Sequence, residues 1–139
     1  MKKNKGKILL ITIAALAGFF LVLYLLPCLF PIHVIYNPLN GYTYTVYADY
    51  VILEEYWWNK EHVKIPDCMW GRPVTVIDNS CFYGYSLAYR ANDIRKIRII
   101  ETIELPKYLE KIGDMAFGDL PELKAVRGGE NVEYIGTHA

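Results

Sequence analysis

The chain has 139 residues, of which 53% are hydrophobic and 14% aromatic, and its formal net charge is zero. This length accommodates one small domain plus a tail and excludes most two-domain enzymes, while 12 tyrosines and a charged fraction of 22% exclude a wholly disordered chain. The charge is unevenly distributed: four lysines lie in the first seven residues, and the other eleven basic and all fifteen acidic residues lie beyond residue 48, so a +4 tail precedes a −4 body.

Residues 8–26 contain no charged side chain. As a helix rising about 1.5 Å per residue, this segment would measure roughly 28 Å, close to the hydrocarbon thickness of a bilayer. The apolar character continues to Ile32. We therefore predict a transmembrane helix and its boundary over residues 8–32, after a basic cytoplasmic tail over residues 1–7. Because basic residues stay on the cytoplasmic side, the body is expected outside the cell membrane.

Three alternatives to this single-pass anchor exist. A buried core helix is one, although so short a chain offers little core to cover it. A cleaved signal peptide is another, since residues 15–17 are small at their first and last positions, but the apolar run continues well beyond them. Lipidation at Cys28 is the third, and the proline before this cysteine makes it a poor substrate. We favour the uncleaved anchor.

A linker is predicted over residues 33–40, followed by a β-hairpin. Residues 41–47 alternate and are rich in tyrosine, threonine and valine, and a second apolar strand covers residues 50–53 after a turn at Ala48 and Asp49. Three consecutive aromatic residues then follow, Tyr56, Trp57 and Trp58. Exposed aromatic residues often anchor partners, so we predict partner contacts here, with packing against the body as the alternative.

The sequence offers no catalytic, cofactor or metal site. Its three histidines are scattered singly and have no cysteine at ligand spacing. The cysteines make an odd count without a close pair, so a bridge between Cys68 and Cys81 stays open, and Cys81 is better explained as a small buried residue. Neither serine lies in a nucleophile elbow, and no glycine-rich phosphate loop occurs. We predict that the protein is not an enzyme and has no nucleic-acid partner.

Beyond residue 65 the chain repeats itself. Residues 109–113 recur 23 positions later, and an earlier copy precedes them by 35 positions. The structural repeat positions are Ile77, Cys81, Phe82, Leu109, Ile112, Gly113, Ala116, Phe117, Val132, Ile135, Gly136 and Ala139. Such spacing predicts stacked units of a short strand and a return segment, with the small residue and phenylalanine inside and the glycines at the bend.

Residues 105–117 are LPKYLEKIGDMAF, which resembles the I-P-x-x-[LV]-x-x-I-G-x-x-A-F repeat of BspA-like leucine-rich repeat proteins of bacterial surfaces. Residues 65–77 are similar to the longer first unit of that family, and the 42–52 hairpin is similar to its N-terminal cap. The resemblance covers residues 41–139. It implies a mainly-β leucine-rich-repeat solenoid with an N-terminal β-hairpin cap, here following a transmembrane α-helix, and a binding role without catalysis.

The chain departs from this pattern twice. An insertion at about residues 85–96 separates two units and carries or adjoins a basic cluster, Arg90, Arg95, Lys96 and Arg98. This cluster is either a contact for an anionic partner or a solvated face. The last repeat is incomplete, because it stops at Ala139 where the motif continues with phenylalanine. We expect missing repeats or a partner to cover that end, since repeat arrays need capping units.

The leading functional hypothesis is an extracytoplasmic binding or adhesion module for a protein or glycan, anchored by one helix. The alternatives are a structural or regulatory single-pass subunit that docks on a larger membrane protein, and a truncated fragment of a longer surface protein.

Overall fold

A computed structural model describes residues 2–58, 60–83 and 99–139, with side chains from Thr12 onward except at Ile35. The predicted insertion at 85–96 and its basic cluster, Arg90, Arg95, Lys96 and Arg98, lie outside the described residues and stay a prediction.

The N-terminal helix, α1, runs over Lys2–Leu29 and so includes the basic tail. Its stretch Thr12–Leu29 has a mean hydropathy of 2.3, and only 6% of it is buried inside the molecule. By length and composition this helix could cross a membrane. A signal sequence near the N-terminus has the same length and composition. The low burial argues against the core helix that the sequence left as an alternative.

An antiparallel meander follows the helix directly: β1 (Ile32–Asn37), β2 (Tyr42–Val46) and β3 (Val51–Tyr56). The structure contains the predicted hairpin as β2 and β3, and its turn is closed by the Tyr47 amide donating to the Tyr50 carbonyl at 2.9 Å. The predicted linker over residues 33–40 is mostly a strand, since residues 33–37 belong to β1. The apolar residues at the start of β1 continue the long apolar segment of α1 in the sequence, and this concealed the strand.

Seven further strands follow in the part of the chain that the structure describes: β4 (His62–Lys64), β5 (Cys68–Met69), β6 (Arg72–Ile77), β7 (Thr102–Glu104), β8 (Lys111–Ile112), β9 (Ala125–Arg127) and β10 (Tyr134–Ile135). The long sheet has the order β1-β2-β3-β6-β8-β10, with β5 paired to β6 at its side, and is parallel from β3 onward. The short sheet, β4-β7-β9, is parallel throughout.

The strand registers have the offsets expected from the repeat. Ile77 is opposite Ile112, and Ile112 is opposite Ile135, which are steps of 35 and 23 residues along the chain. Ile103 is opposite Val126 in the short sheet, again 23 residues apart. Each apolar position therefore packs on its equivalent in the next repeat.

An aromatic stack runs through the interior of these repeats. Ring centroids are 4.9 Å apart for Tyr42 and Tyr56, 5.0 Å for Tyr56 and Phe82, and 5.4 Å for Phe82 and Phe117. Cys81 is fully buried beside Phe82, as predicted for the small repeat residue, and both Cys68 and Cys81 are free thiols.

The repeat glycines have a different role from the one expected. Neither Gly113 nor Gly136 has a positive φ, so neither is required by a turn conformation. A Cβ atom at Gly113 would lie 2.5 Å from the Asn79 amide nitrogen, and one at Gly136 would lie 2.6 Å from the Asp114 amide nitrogen. Glycine is needed because successive repeats approach each other closely there.

A polar ladder accompanies these glycines. The Asn79 Oδ1 atom accepts the Asp114 amide at 2.7 Å, and the Asp114 Oδ1 atom accepts the Thr137 amide at 2.7 Å. The residue after each of these is left-handed, with φ of 57° at Ser80, 52° at Met115 and 57° at His138. The three share one phase of the repeat, so this strained residue is part of the repeat itself.

Candidate partner-binding surfaces

The fold places the three consecutive aromatic residues at the end of β3 in different environments. Tyr56 is only 1% exposed, packs between Tyr42 and Phe82, and belongs to the core, so its side chain is not accessible to a partner. Burial raises the pKa of its hydroxyl to about 12. The sequence-based expectation of a partner contact is therefore corrected for Tyr56, because its neighbours in space, rather than in sequence, determine its burial.

The two tryptophans are half-buried. The Trp57 Nε1 atom donates to Thr43 Oγ1 at 2.7 Å, and its ring meets Tyr36 edge-on, with centroids 6.0 Å apart. The Trp58 ring covers Gly41, where no Cβ atom would fit, and Lys60 Nζ lies 4.1 Å from the ring centroid. Both therefore pack on the cap, as the alternative supposed, and a partner contact by their exposed edges stays a prediction.

A row of outward-facing side chains crosses the long sheet. Ile52 on β3 is opposite Val76 on β6, Val76 is opposite Lys111 on β8, and Lys111 is opposite Tyr134 on β10. We call these four residues the outer row. Lys111 Nζ lies 5.3 Å from the centroid of the exposed Tyr134 ring. This row was not predicted from the sequence. Its signal is the position just before Leu53 in β3 and just before the repeat residues Ile77, Ile112 and Ile135.

A shallow groove of about 460 Å³ lies along the outer row. Its rim carries the acidic residues Asp49, Asp78 and Glu110 as well as Lys111. Tyr50 borders the groove and stacks on Tyr47, with centroids 4.7 Å apart. The groove thus combines aromatic and apolar contact area with acceptors and one cation, which suits recognition of a polar ligand.

The outer face of the short sheet carries ion pairs. Lys64 pairs with Glu104, and Lys124 Nζ pairs with Glu101 Oε1 at 2.8 Å. The hydrogen bond from Lys124 lowers the pKa of Glu101. These two ion pairs lie on and beside the short sheet, and this face is a natural control for binding experiments.

One polar trio connects the meander strands on the same side as the outer row. Thr45 Oγ1 donates to Glu54 Oε1 at 2.6 Å, and His33 Nδ1 lies 3.0 Å from Glu54 Oε2. The threonine proton is therefore directed at a carboxylate, so this trio connects strands rather than activating a nucleophile. Among the described side chains, no group of three His, Cys, Asp or Glu could hold a metal ion.

A second cleft lies at the last repeat. It has a volume of about 290 Å³ and is lined mainly by apolar side chains, among them Leu105, Phe117, Val126 and Ile135. Ile135 is 65% exposed, whereas its equivalent Ile112 is 5% exposed. Apolar surface is therefore open on this face of the last repeat.

Comparison with solved structures identifies two similar folds. A leucine-rich repeat protein of T. pallidum is 20% identical, with a TM-score of 0.59 over 72% of this chain and 42% of that protein. A leucine-rich cell surface protein from Faecalibacterium prausnitzii A2-165 is 22% identical, with a TM-score of 0.56 over 76% of this chain and 27% of that protein. The chain thus spans less than half the length of either structure.

These likenesses show that the chain has a leucine-rich repeat fold, which confirms the resemblance at the level of the fold. No family model and no curated protein matches the sequence.

Proposed function

We propose that the protein is a non-catalytic binding module on the outer face of a cell membrane, anchored by α1, which binds a protein or glycan through the outer row. The observation that carries this proposal is the groove along the row, which is lined by Ile52, Val76 and Lys111 of the parallel strands β3, β6 and β8. Tyr134 on β10 extends the row beside Lys111. Side chains on a rigid sheet bind with little loss of conformational entropy.

Anchoring by α1 is supported by its composition and exposure. The stretch Thr12–Leu29 has a mean hydropathy of 2.3, four lysines precede it, and it is hardly buried by the rest of the chain. The similar protein of Faecalibacterium prausnitzii is described as a cell surface protein. Added protease should degrade residues 41–139 in intact cells and spare the tail. Resistance of the body to protease in intact cells would contradict this topology.

Binding through the outer row can be tested with the whole chain in detergent. We would probe a glycan array and an extract of surface proteins with the wild type, Lys111→Ala and Tyr134→Ala. Loss of these exposed side chains should weaken retention of the captured ligand at least about tenfold, as expected for contact residues. Lys64→Ala, on the paired-charge face of the short sheet, is the matched control. Equal binding by all four proteins would place the site elsewhere.

The tryptophans provide a second candidate contact. Trp58→Ala removes the exposed ring edge together with the packing on Gly41, so its binding is compared with that of a correctly folded Trp58→Phe variant. Weak binding by both variants, at unchanged unfolding temperature, would assign the ligand to this segment instead of the outer row.

Docking on a larger membrane protein is a second candidate function, favoured by the apolar cleft at the last repeat. In this case the protein should co-purify with one partner in detergent, and Ile135→Asp should abolish the association while Glu133→Lys, on an exposed position nearby, should not. Purification of the wild type alone would contradict it.

A further inference from the structure

One arginine connects the helix to the repeat domain. Arg72 is 3% exposed, and its guanidinium donates to three backbone carbonyls: Ala48 at 2.8 Å, Trp70 at 3.0 Å and Tyr24 at 2.7 Å. Its Cζ atom also lies 4.7 Å from the centroid of the Tyr24 ring. The β2–β3 turn, the β5–β6 turn and α1 therefore meet at a single buried cation.

This contact fixes the height of the β5–β6 turn along the helix. A Cβ atom at Gly71 would lie 3.5 Å from the Tyr24 ring, so the turn is against the helix at this point. Tyr24 precedes the helix end at Leu29 by five residues, about 7.5 Å along the axis. The turn thus lies beside the last part of the apolar stretch, not above it.

The turn presents an aromatic ring at that height. Trp70 is 44% exposed, and its Nε1 atom already donates to the Tyr44 hydroxyl at 3.2 Å. The exposed part of the ring therefore needs no hydrogen bond from solvent. Trp70 has a φ of 54°, a conformation that Gly or Asn adopts with less strain, so a bulky aromatic residue is unexpected here on local grounds.

The helix surface around this level is apolar and aromatic as well, with Tyr24, Leu25, Leu29 and Phe30 all exposed. Trp and Tyr side chains are enriched where a bilayer's hydrocarbon meets its headgroups, because their rings are apolar and polar at once. The partner that fits a rigid tryptophan beside the end of such a helix is the lipid interface itself.

We propose that Trp70 is inserted into the outer interface of the bilayer beside Tyr24, and that Arg72 fixes the repeat domain to α1, so that the domain stands on the membrane in one orientation. This inference rests on the proposed membrane anchoring. It adds a second membrane contact, contributed by the repeat domain rather than by the helix.

The test uses the whole chain in phosphatidylcholine vesicles with bromine on the acyl chains, which quenches nearby tryptophans. A variant that retains only Trp70 (Trp57→Phe with Trp58→Phe) should lose at least about half of its emission relative to unbrominated vesicles. The matched control retains only Trp58 (Trp57→Phe with Trp70→Phe) and should be unaffected. Trp70 emission that is insensitive to bromine but quenched by aqueous iodide would overturn the inference.

A second measurement needs no double substitution. The wild type labelled with 5-fluorotryptophan has three fluorine resonances, and Trp70→Phe identifies one of them. A spin label on the lipid acyl chain should broaden that resonance and leave the other two sharp, and equal broadening of all three or of none would contradict the inference.

If the protein does not float with the vesicles, the proposed membrane anchoring is wrong. If it floats and Trp70 does not respond, only the further inference fails.

Discussion

Glycine at positions 113 and 136 is determined by a distance between repeats, not by a local turn. A Cβ atom at Gly113 would lie 2.5 Å from the Asn79 amide nitrogen, and one at Gly136 would lie 2.6 Å from that of Asp114. Any larger residue at these positions would therefore force adjacent repeats apart. The same contact places Asn79 and Asp114 to accept backbone amides from the following repeat. At the scale of the residue, these positions of the repeat motif are thus determined by contacts with the adjacent repeats.

Gly113→Ala should therefore destabilise the repeat domain by about 1–3 kcal/mol, the usual cost of overpacking a close contact. The measurement is urea unfolding of the whole chain in detergent micelles, followed by circular dichroism. The matched control is Gly18→Ala, where an added Cβ atom meets nothing within 4 Å. An unchanged midpoint for Gly113→Ala would disprove the close-approach explanation.

The buried tyrosines predict a specific alkaline sensitivity. Burial raises the pKa of Tyr56 from 10.0 to about 12 and raises that of Tyr42 further still. Between pH 10 and pH 12 the unfolded chain has therefore lost the Tyr56 proton while the folded chain retains it. Stability should fall as pH rises through this window, by about 1.4 kcal/mol per pH unit for this residue.

The measurement is the unfolding free energy at pH 9 and at pH 11.5, with the tyrosinate absorbance followed in parallel. Tyr56→Phe should make the decline less steep and leave the part due to Tyr42, whereas Tyr108→Phe, at an exposed site, should leave the decline unchanged. An identical decline in Tyr56→Phe and wild type would show that burial of this hydroxyl does not carry the effect.

At the scale of the element, α1 and the repeat domain are one structural unit. The helix runs directly into β1, and Arg72 donates to carbonyls of the helix and of two turns. The orientation of the outer row relative to α1 therefore depends on a few buried hydrogen bonds.

Arg72→Met should destabilise the protein by about 2–4 kcal/mol, because buried carbonyls that lose a charged donor each cost roughly 1–3 kcal/mol. Thermal unfolding in micelles measures this. Arg127→Met removes an exposed arginine on β9 and should change stability by less than about 0.5 kcal/mol. Equal effects of the two substitutions would contradict the role assigned to Arg72.

At the scale of the whole molecule, stability depends on how many neighbours each repeat has. The central repeat is covered on both sides, whereas Ile135 and Val126 in the last repeat are exposed. In repeat proteins the stability of a unit is roughly the sum of its own folding energy and its interfaces with adjacent units. Apolar positions that are buried in the central repeat are thus exposed in the last one.

Hydrogen exchange should reveal this difference between amides of equal hydrogen bonding. The Gly113 amide donates to Ile77 at 2.8 Å, and the Gly136 amide donates to Ile112 at 2.9 Å. We expect Gly136 to exchange at least about tenfold faster, since the last repeat opens without unfolding the rest. Exchange at the same rate would show that the apolar face of the last repeat is covered.

The sequence by itself determined the apolar segment, the β2–β3 hairpin, the phase of the repeat and the leucine-rich repeat resemblance. Each of these depends on periodicity along the chain, which hydrophobicity and spacing encode directly. The tertiary structure alone decided that Tyr56 is core, that β1 replaces the linker, and that Ile52, Val76, Lys111 and Tyr134 form one row. These depend on which residues become neighbours in space. The repeat offsets of 23 and 35 residues indicate which positions stack, whereas a contact outside the repeat, such as that of Arg72 with Tyr24 48 residues away, leaves no local signature in the chain.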